Sequence, residues 1–161
     1  MSLSLRRLPA ALGLLLALVP SVGSASTGHL AAGAMCQGAS ATSLYYSTYG
    51  WAGNSSTSST AYAICPIDRH SVTDTSFSAS VYVYTYSSSY PVTCQLRDYT
   101  SGGSSGYMST TSGTSSTGGY STLTLASITS GSYYREMIYC SLSKSYTSSY
   151  TTSIQAYYIS E

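Results

Sequence analysis

The stretch FSASVYVYTY, residues 77–86, alternates strictly: Phe77, Ala79, Val81 and Val83 occupy odd positions, Tyr82, Tyr84 and Tyr86 even ones. Successive residues of a β-strand point to opposite faces, so such a run buries one row of side chains only as a strand with a core on one side. The same period recurs where Val92, Cys94 and Leu96 oppose Thr93, Gln95 and Arg97, and where Ile138, Cys140 and Leu142 oppose Met137 and Tyr139. Leu123 and Leu125 oppose Thr122 and Thr124 in the same way. A helix needs apolar residues at three- and four-residue spacing, and no segment shows a convincing run of that kind. The pattern predicts an all-β chain with aliphatic and sulfur-bearing rows inside, and hydroxyls and tyrosine rings outside.

Ser/Gly-rich turns separate these stretches, and the expected strands are residues 44–49, 61–65, 77–86, 92–98, 107–111, 120–125, 134–142 and 153–160. GWAGNSSTSST, from Gly50, reads as a long turn, and Pro91 marks a strand start because it cannot donate to a ladder. About eight short strands of this kind predict a two-layer antiparallel β-sandwich, jelly-roll or immunoglobulin-like.

The first 25 residues read as an export signal. Arg6 and Arg7 supply the positive start, the leucine-rich run from Ala10 to Val19 is too short to span a bilayer, and Gly23-Ser24-Ala25 offers a cleavage site after Ala25. A twin-arginine reading fits poorly with Leu8 and Pro9, and a lipid anchor on Cys36 would need a small residue where Met35 stands. Residues 26–35 show no periodicity and are expected as a disordered arm, residues 36–161 as one sandwich domain. The expected location is secreted, extracellular or periplasmic, with no membrane span.

Cys36, Cys65, Cys94 and Cys140 behind an export signal predict two disulfides. Three pairings are possible. The inward parity of Cys94 and Cys140 makes them natural partners across the core, leaving Cys36 for Cys65. No C-x-x-C pair exists, and beyond the signal only His29 and His70 supply imidazoles, so no metal or other cofactor is expected.

Charged residues make up 7% of the chain. Beyond the signal Arg69, Arg97, Arg135 and Lys144 stand against Asp68, Asp74, Asp98, Glu136 and Glu161, a near-neutral balance without the basic stripe that nucleic-acid binding requires. Serine and threonine replace the missing charge, keeping the chain polar while threonine, tyrosine and valine favour strands. Weak repulsion also favours self-association.

The runs Cys65-Pro66-Ile67, Val92-Thr93-Cys94-Gln95-Leu96 and Ile138-Tyr139-Cys140-Ser141-Leu142, with a closing strand that ends in Glu161, resemble an uncharacterised family of small secreted β-sandwich proteins from environmental bacteria. The resemblance spans most of the chain beyond the signal, departing at Ser143 where the family pattern has proline. It implies fold and compartment, and no catalytic residue.

Enzyme signatures are weak. Gly102-Gly103-Ser104-Ser105-Gly106 matches G-x-S-x-G, but that motif needs a strand-to-helix turn and a downstream histidine, and none follows. Asp68, Arg69, His70, Ser71 and Asp74 form the densest polar cluster, yet neighbours on one strand face opposite ways, so His70 and Ser71 suit an inter-strand loop better than a catalytic pair. Asp68, Asp74, Asp98 and Glu136 lack a calcium-loop spacing, and the scattered acids carry no specific glycosidase signal. Asn54-Ser55-Ser56 fits an N-glycosylation acceptor in a surface turn. No catalytic residue is assigned.

Eighteen tyrosines stand against one phenylalanine and one tryptophan. Some, such as Tyr62, Tyr139 and Tyr158, are expected to bury their rings with the hydroxyl bonded. Others pair across strands at the surface. Tyrosine with serine and glycine is also the vocabulary of binding surfaces, where rigid rings sit among adaptable hydroxyls. The expected function is a secreted, non-catalytic binding or surface-structural protein whose face carries Tyr82, Tyr84 and Tyr86, with a glycan surface or a second copy of the chain as partner. A lectin-like module and a small hydrolase are the alternatives.

Overall fold

The computed structural model describes residues 28–39, 44–68, 76–100, 107–129, 134–147 and 151–161. The expected export signal lies outside the described residues. Eleven strands form among them: β1 (Gly28–Ala32), β2 (Gln37–Gly38), β3 (Tyr45–Tyr46), β4 (Ala52–Asn54), β5 (Ala61–Pro66), β6 (Ser76–Thr85), β7 (Val92–Thr100), β8 (Tyr107–Thr114), β9 (Gly119–Thr129), β10 (Tyr134–Leu142) and β11 (Thr152–Ser160). The first sheet runs β3-β4-β11-β6-β9 with β1 also on β11, and the second runs β2-β5-β10-β7-β8. Every pairing is antiparallel.

Four pairings nest around the β7–β8 connection: β7 with β8, β6 with β9, β5 with β10 and β4 with β11. A long hairpin rolled so that successive strand pairs alternate between sheets is a jelly roll, which selects that layout over the immunoglobulin-like one. The sheets approach closely where the chain passes from β8 to β9. There Gly113 lies opposite Cys94, and a Cβ at Gly113 would stand 3.2 Å from that of Leu123.

Alternation buries the rows read from the sequence: Phe77, Ala79, Val81 and Val83 from β6, Val92, Cys94 and Leu96 from β7, and Ile138, Cys140 and Leu142 from β10. Leu123 and Leu125 join them from β9. Bulges in β11 and β9 change the phase of burial along those strands. In β11, Ile154 pairs with Val83 and Ala156 with Tyr82, so Gln155 is an extra residue, and burial passes from Ile154 to Tyr157 and Ile159. Tyr157, at 3% exposure, therefore enters the core, and Tyr158, expected there, turns to the half-buried side. In β9 the pairs Ala79 with Leu125 and Phe77 with Ile128 bring Ile128 inside by the same device. Tyr62 and Tyr139, also expected in the core, lie on the outward parity of β5 and β10, exposed and half-buried respectively.

Three elements differ from the sequence expectation because pairing, not local pattern, makes them. Residues 28–35, expected as a disordered arm, form β1 along β11 followed by a 3₁₀ turn at Gly33–Met35. The expected strand at residues 44–49 shortens to β3, and β4 arises inside the expected long turn, buried because it pairs with β11. Its sequence AGN has no strand propensity of its own.

The charge-poor core ends are closed by side-chain hydrogen bonds. Thr85 Oγ1 donates to Thr117 O at 2.8 Å, Thr152 Oγ1 donates to Ser143 O at 2.6 Å, and Ser115 Oγ accepts from Val92 N–H at 2.9 Å. Buried hydroxyls cost little when paired in this way.

Both disulfides join the pairs favoured by the sequence, Cys36 with Cys65 and Cys94 with Cys140. Cys94 and Cys140 stand directly opposite one another on neighbouring strands, so their bond runs within the second sheet rather than from layer to layer. Cys36–Cys65 ties the segment before β2 to β5. The Cys94→Ala/Cys140→Ala variant is expected to lose roughly 3–4 kcal/mol, read from urea unfolding, because the bond closes a long loop in the unfolded chain.

Tyr157 O–H donates to Pro66 O at 2.8 Å, linking the two sheets, and burial pushes its pKa above the ordinary 10.0. The folded state thus favours the neutral phenol. That contribution is complete below the unfolded value and is lost as pH rises through the higher folded one. Tyr157→Phe should lose about 1 kcal/mol at neutral pH. Thermal unfolding at pH values above about 10 should then show a shallower decline for the variant than for the parent.

Candidate functional site

The strands β6, β9 and β11 contain no Asp, Glu, Lys or Arg. Their outward face is built from tyrosines, hydroxyls and one amide. Register places Tyr84 opposite Tyr120 and Tyr82 opposite Thr122. The Tyr84 and Tyr120 rings meet at 5.0 Å, tilted by 57°, which leaves Tyr84 half-buried and Tyr120 79% exposed. Such tilted pairs place a positive ring edge toward a negative face and hold both rings in place.

The aromatic array continues past the end of β6. Tyr86 stacks on Tyr146 at 5.1 Å and 12°, and Tyr90 meets Tyr146 edge-on at 6.1 Å. Beside Tyr82 lies a depression of about 240 Å³ lined by Tyr82, Val83, Tyr120, Ser121, Thr122 and Gln155. Gln155 reaches this face because it is the bulge residue of β11, and its Nε2 donates to Ser153 Oγ at 2.7 Å. The arrangement offers rigid apolar ring surface flanked by hydroxyl and amide groups. That combination suits a ligand with alternating C–H and O–H surfaces.

The three tyrosines singled out in the sequence thus follow one another along one side of the first sheet. Tyr120, Tyr146 and Gln155 were missed. Tyr120 shares the outward parity of Thr122 and Thr124, which was a usable signal, whereas the approach of Tyr146 depends on how a distant loop packs.

Arg69, His70, Ser71 and Asp74 lie outside the described residues, as does Gly102-Gly103-Ser104-Ser105-Gly106. Asp68 borders a second depression, about 220 Å³, with His29, Met35 and Tyr157. Asn54 is not a surface acceptor: it is 1% exposed, and its Nδ2 lies 2.8 Å from Ser59 O, 3.1 Å from Leu142 O and 3.2 Å from Ser143 O. Its Oδ1 accepts the Ser56 N–H, so Asn54 is a structural clamp that joins β4 to the end of β10. Among the described residues no group of three His, Cys, Asp or Glu side chains is placed to hold a metal, and no helix is long and apolar enough to cross a membrane.

No protein-family model and no curated protein matches the chain. Solved structures do. The CBM22-2 xylan-binding domain of Paenibacillus barcinonensis Xyn10C has a TM-score of 0.54 at 10% identity, with 82% of this chain and 98% of that one covered. The xylan-binding module CBM15 has a TM-score of 0.46 at 15% identity, covering 84% of this chain and 96% of that one. A family two carbohydrate esterase from Cellvibrio japonicus has a TM-score of 0.47 at 6% identity over 84% of this chain, which spans only 34% of the esterase chain. The fold is therefore of the kind seen in the CBM22-2 domain, and at such identity the likeness is one of fold.

Proposed function

We propose that the chain is a secreted, non-catalytic glycan-binding module whose site is the outward face of the first sheet. The observation that carries the reading is the uncharged array of Tyr82, Tyr84 and Tyr120 on a sheet whose three long strands bear no charged residue, continued past the end of β6 by the stacked Tyr86 and Tyr146. Sugar rings present C–H faces that stack on aromatic rings and hydroxyls that exchange hydrogen bonds with Thr122 and Gln155. The absence of charge favours a neutral polysaccharide. At about 3.3 Å per residue, the step from Tyr82 to Tyr86 covers roughly 13 Å, which suits an extended chain lying along β6 better than a single sugar. The xylan bound by the CBM22-2 domain makes xylan the first probe.

Affinity electrophoresis with soluble xylan and other neutral polysaccharides tests this. Removing two exposed rings in Tyr82→Ser/Tyr120→Ser, at about 1 kcal/mol each, should weaken binding by roughly thirtyfold while thermal unfolding stays close to the parent. Binding should be insensitive to salt. Undiminished binding by the folded double variant, or no binding of any neutral polysaccharide by the parent, would refute the proposal.

A second reading, self-association, draws on the sheet edges. β8 and β9 end their sheets, and neither contains a charged residue or proline. Edge strands of this kind pair readily with another chain. Sedimentation velocity across a wide concentration range should then show a concentration-dependent dimer that Thr124→Lys weakens. A monomer at every concentration sinks this second reading.

A further inference from the structure

The outward row that contains Tyr84 and Tyr120 continues past β6 in the other direction. Register sets Tyr45 of β3 opposite Gly53 of β4, Gly53 opposite Ser153 of β11, Ser153 opposite Tyr84 of β6, and Tyr84 opposite Tyr120 of β9. The adjoining residues Ala52, Ile154 and Val83 are buried in the core, so the row itself points outward. At about 4.8 Å per strand it crosses the sheet in roughly 19 Å.

The chain's single tryptophan stands over this row. Trp51 immediately precedes β4 and shares the outward parity of Gly53. Its ring comes down onto the strand because position 53 has no side chain: a Cβ there would stand 3.0 Å from Trp51 Cζ3 and 3.1 Å from Ser153 Cβ. Trp51 also meets the Tyr45 ring at 5.5 Å, tilted by 55°, and Tyr45 is 51% exposed. The turn before it is firmly held. Gly50, at φ 85°, donates its N–H to Ser47 O at 3.1 Å, the Ser47 N–H donates to Trp51 O at 2.9 Å, and the Ala34 N–H donates to Gly50 O at 2.9 Å. Rings fixed before a ligand arrives lose little freedom on binding. From Gln37 to Ile67 the sequence has no Asp, Glu, Lys or Arg, so this end of the row is as free of charge as β6 and β9.

We infer that Trp51 and Tyr45 form a second stacking subsite of the same glycan site, and that the ligand is a neutral polysaccharide chain long enough to cross β11 between the Tyr84–Tyr120 pair and the Trp51–Tyr45 pair. The inference rests on the reading of this face as a glycan site and gives that site a second anchor. The polysaccharide leaves the line of β6 at Tyr84 and passes over β11, whose Gln155 reaches the same face. β4 and β6 are two strand spacings apart, roughly 10 Å, so a single sugar reaches one pair and an extended oligosaccharide both. Two anchors on one chain reinforce each other, because the first holds the second at high local concentration.

The lone tryptophan gives a direct readout. Emission excited where only the indole absorbs should shift to shorter wavelength when the whole chain binds soluble xylan or another neutral polysaccharide of the panel, and acrylamide should quench it less. Free xylose at the same mass concentration should do neither. In affinity electrophoresis Trp51→Ala should weaken binding about tenfold, and Trp51→Phe, which keeps a ring, by less. Tyr45→Ser, at an exposed position, should weaken it severalfold with thermal unfolding close to the parent. A polysaccharide that retards the parent yet leaves its indole emission and quenching unchanged overturns the inference and leaves the site on β6 and β9 standing. So does binding undiminished in both Tyr45→Ser and whichever Trp51 variant folds, or an equal response to xylose. Absence of binding by the parent overturns both readings.

Discussion

The pairing of β11 is the interaction on which the rest of the molecule depends. One edge of this closing strand carries β6, and the other carries β4 at its start and β1 along the remainder, so the earliest described strand is held by the last. β11 thereby joins parts of the chain that local preference leaves unstructured, since neither GHLAA nor AGN forms a strand unaided. Its bulge at Gln155 then sets two things at once. It turns Tyr157 into the core, where the hydroxyl reaches Pro66 of the second sheet, and it turns Gln155 toward the aromatic face.

A chain so poor in charge has to meet its polar obligations with hydroxyls and amides. Inside, Thr85, Thr152, Ser115 and Asn54 each satisfy a main-chain group at the margins of the core, which lets a short aliphatic inventory fill the middle. Outside, the same residue types surround exposed tyrosines. A tyrosine ring is rigid and amphipathic, so a row of them is stable in water yet gains when a partner covers it. The two sheets differ in kind: the three long strands of the first bear no Asp, Glu, Lys or Arg, and on the second a guanidinium lies against Tyr139 and Gln95.

The disulfides work with this design. Cys94–Cys140 lies inside the second sheet, between the strands that carry Arg97 and Tyr139, and so also stiffens the platform on its outer side. Cys36–Cys65 anchors the segment that leads from β1 into the second sheet. Removing either bond frees a loop whose closure entropy the sheet pairing alone would have to offset.

Period-two alternation was enough to read the all-β class, the inward rows of β6, β7, β9 and β10, the disulfide partners and the outward stripe of Tyr82, Tyr84 and Tyr86. Each of these follows from the direction of successive side chains within a single strand, which is a local property. Which strands lie side by side is not local. The choice of a jelly roll, the bulges that exchange Tyr158 for Tyr157, the burial of Asn54 and the meetings of Tyr84 with Tyr120 and Tyr139 with Arg97 were all decided by the tertiary structure, because register between distant strands is set by the whole core closing at once.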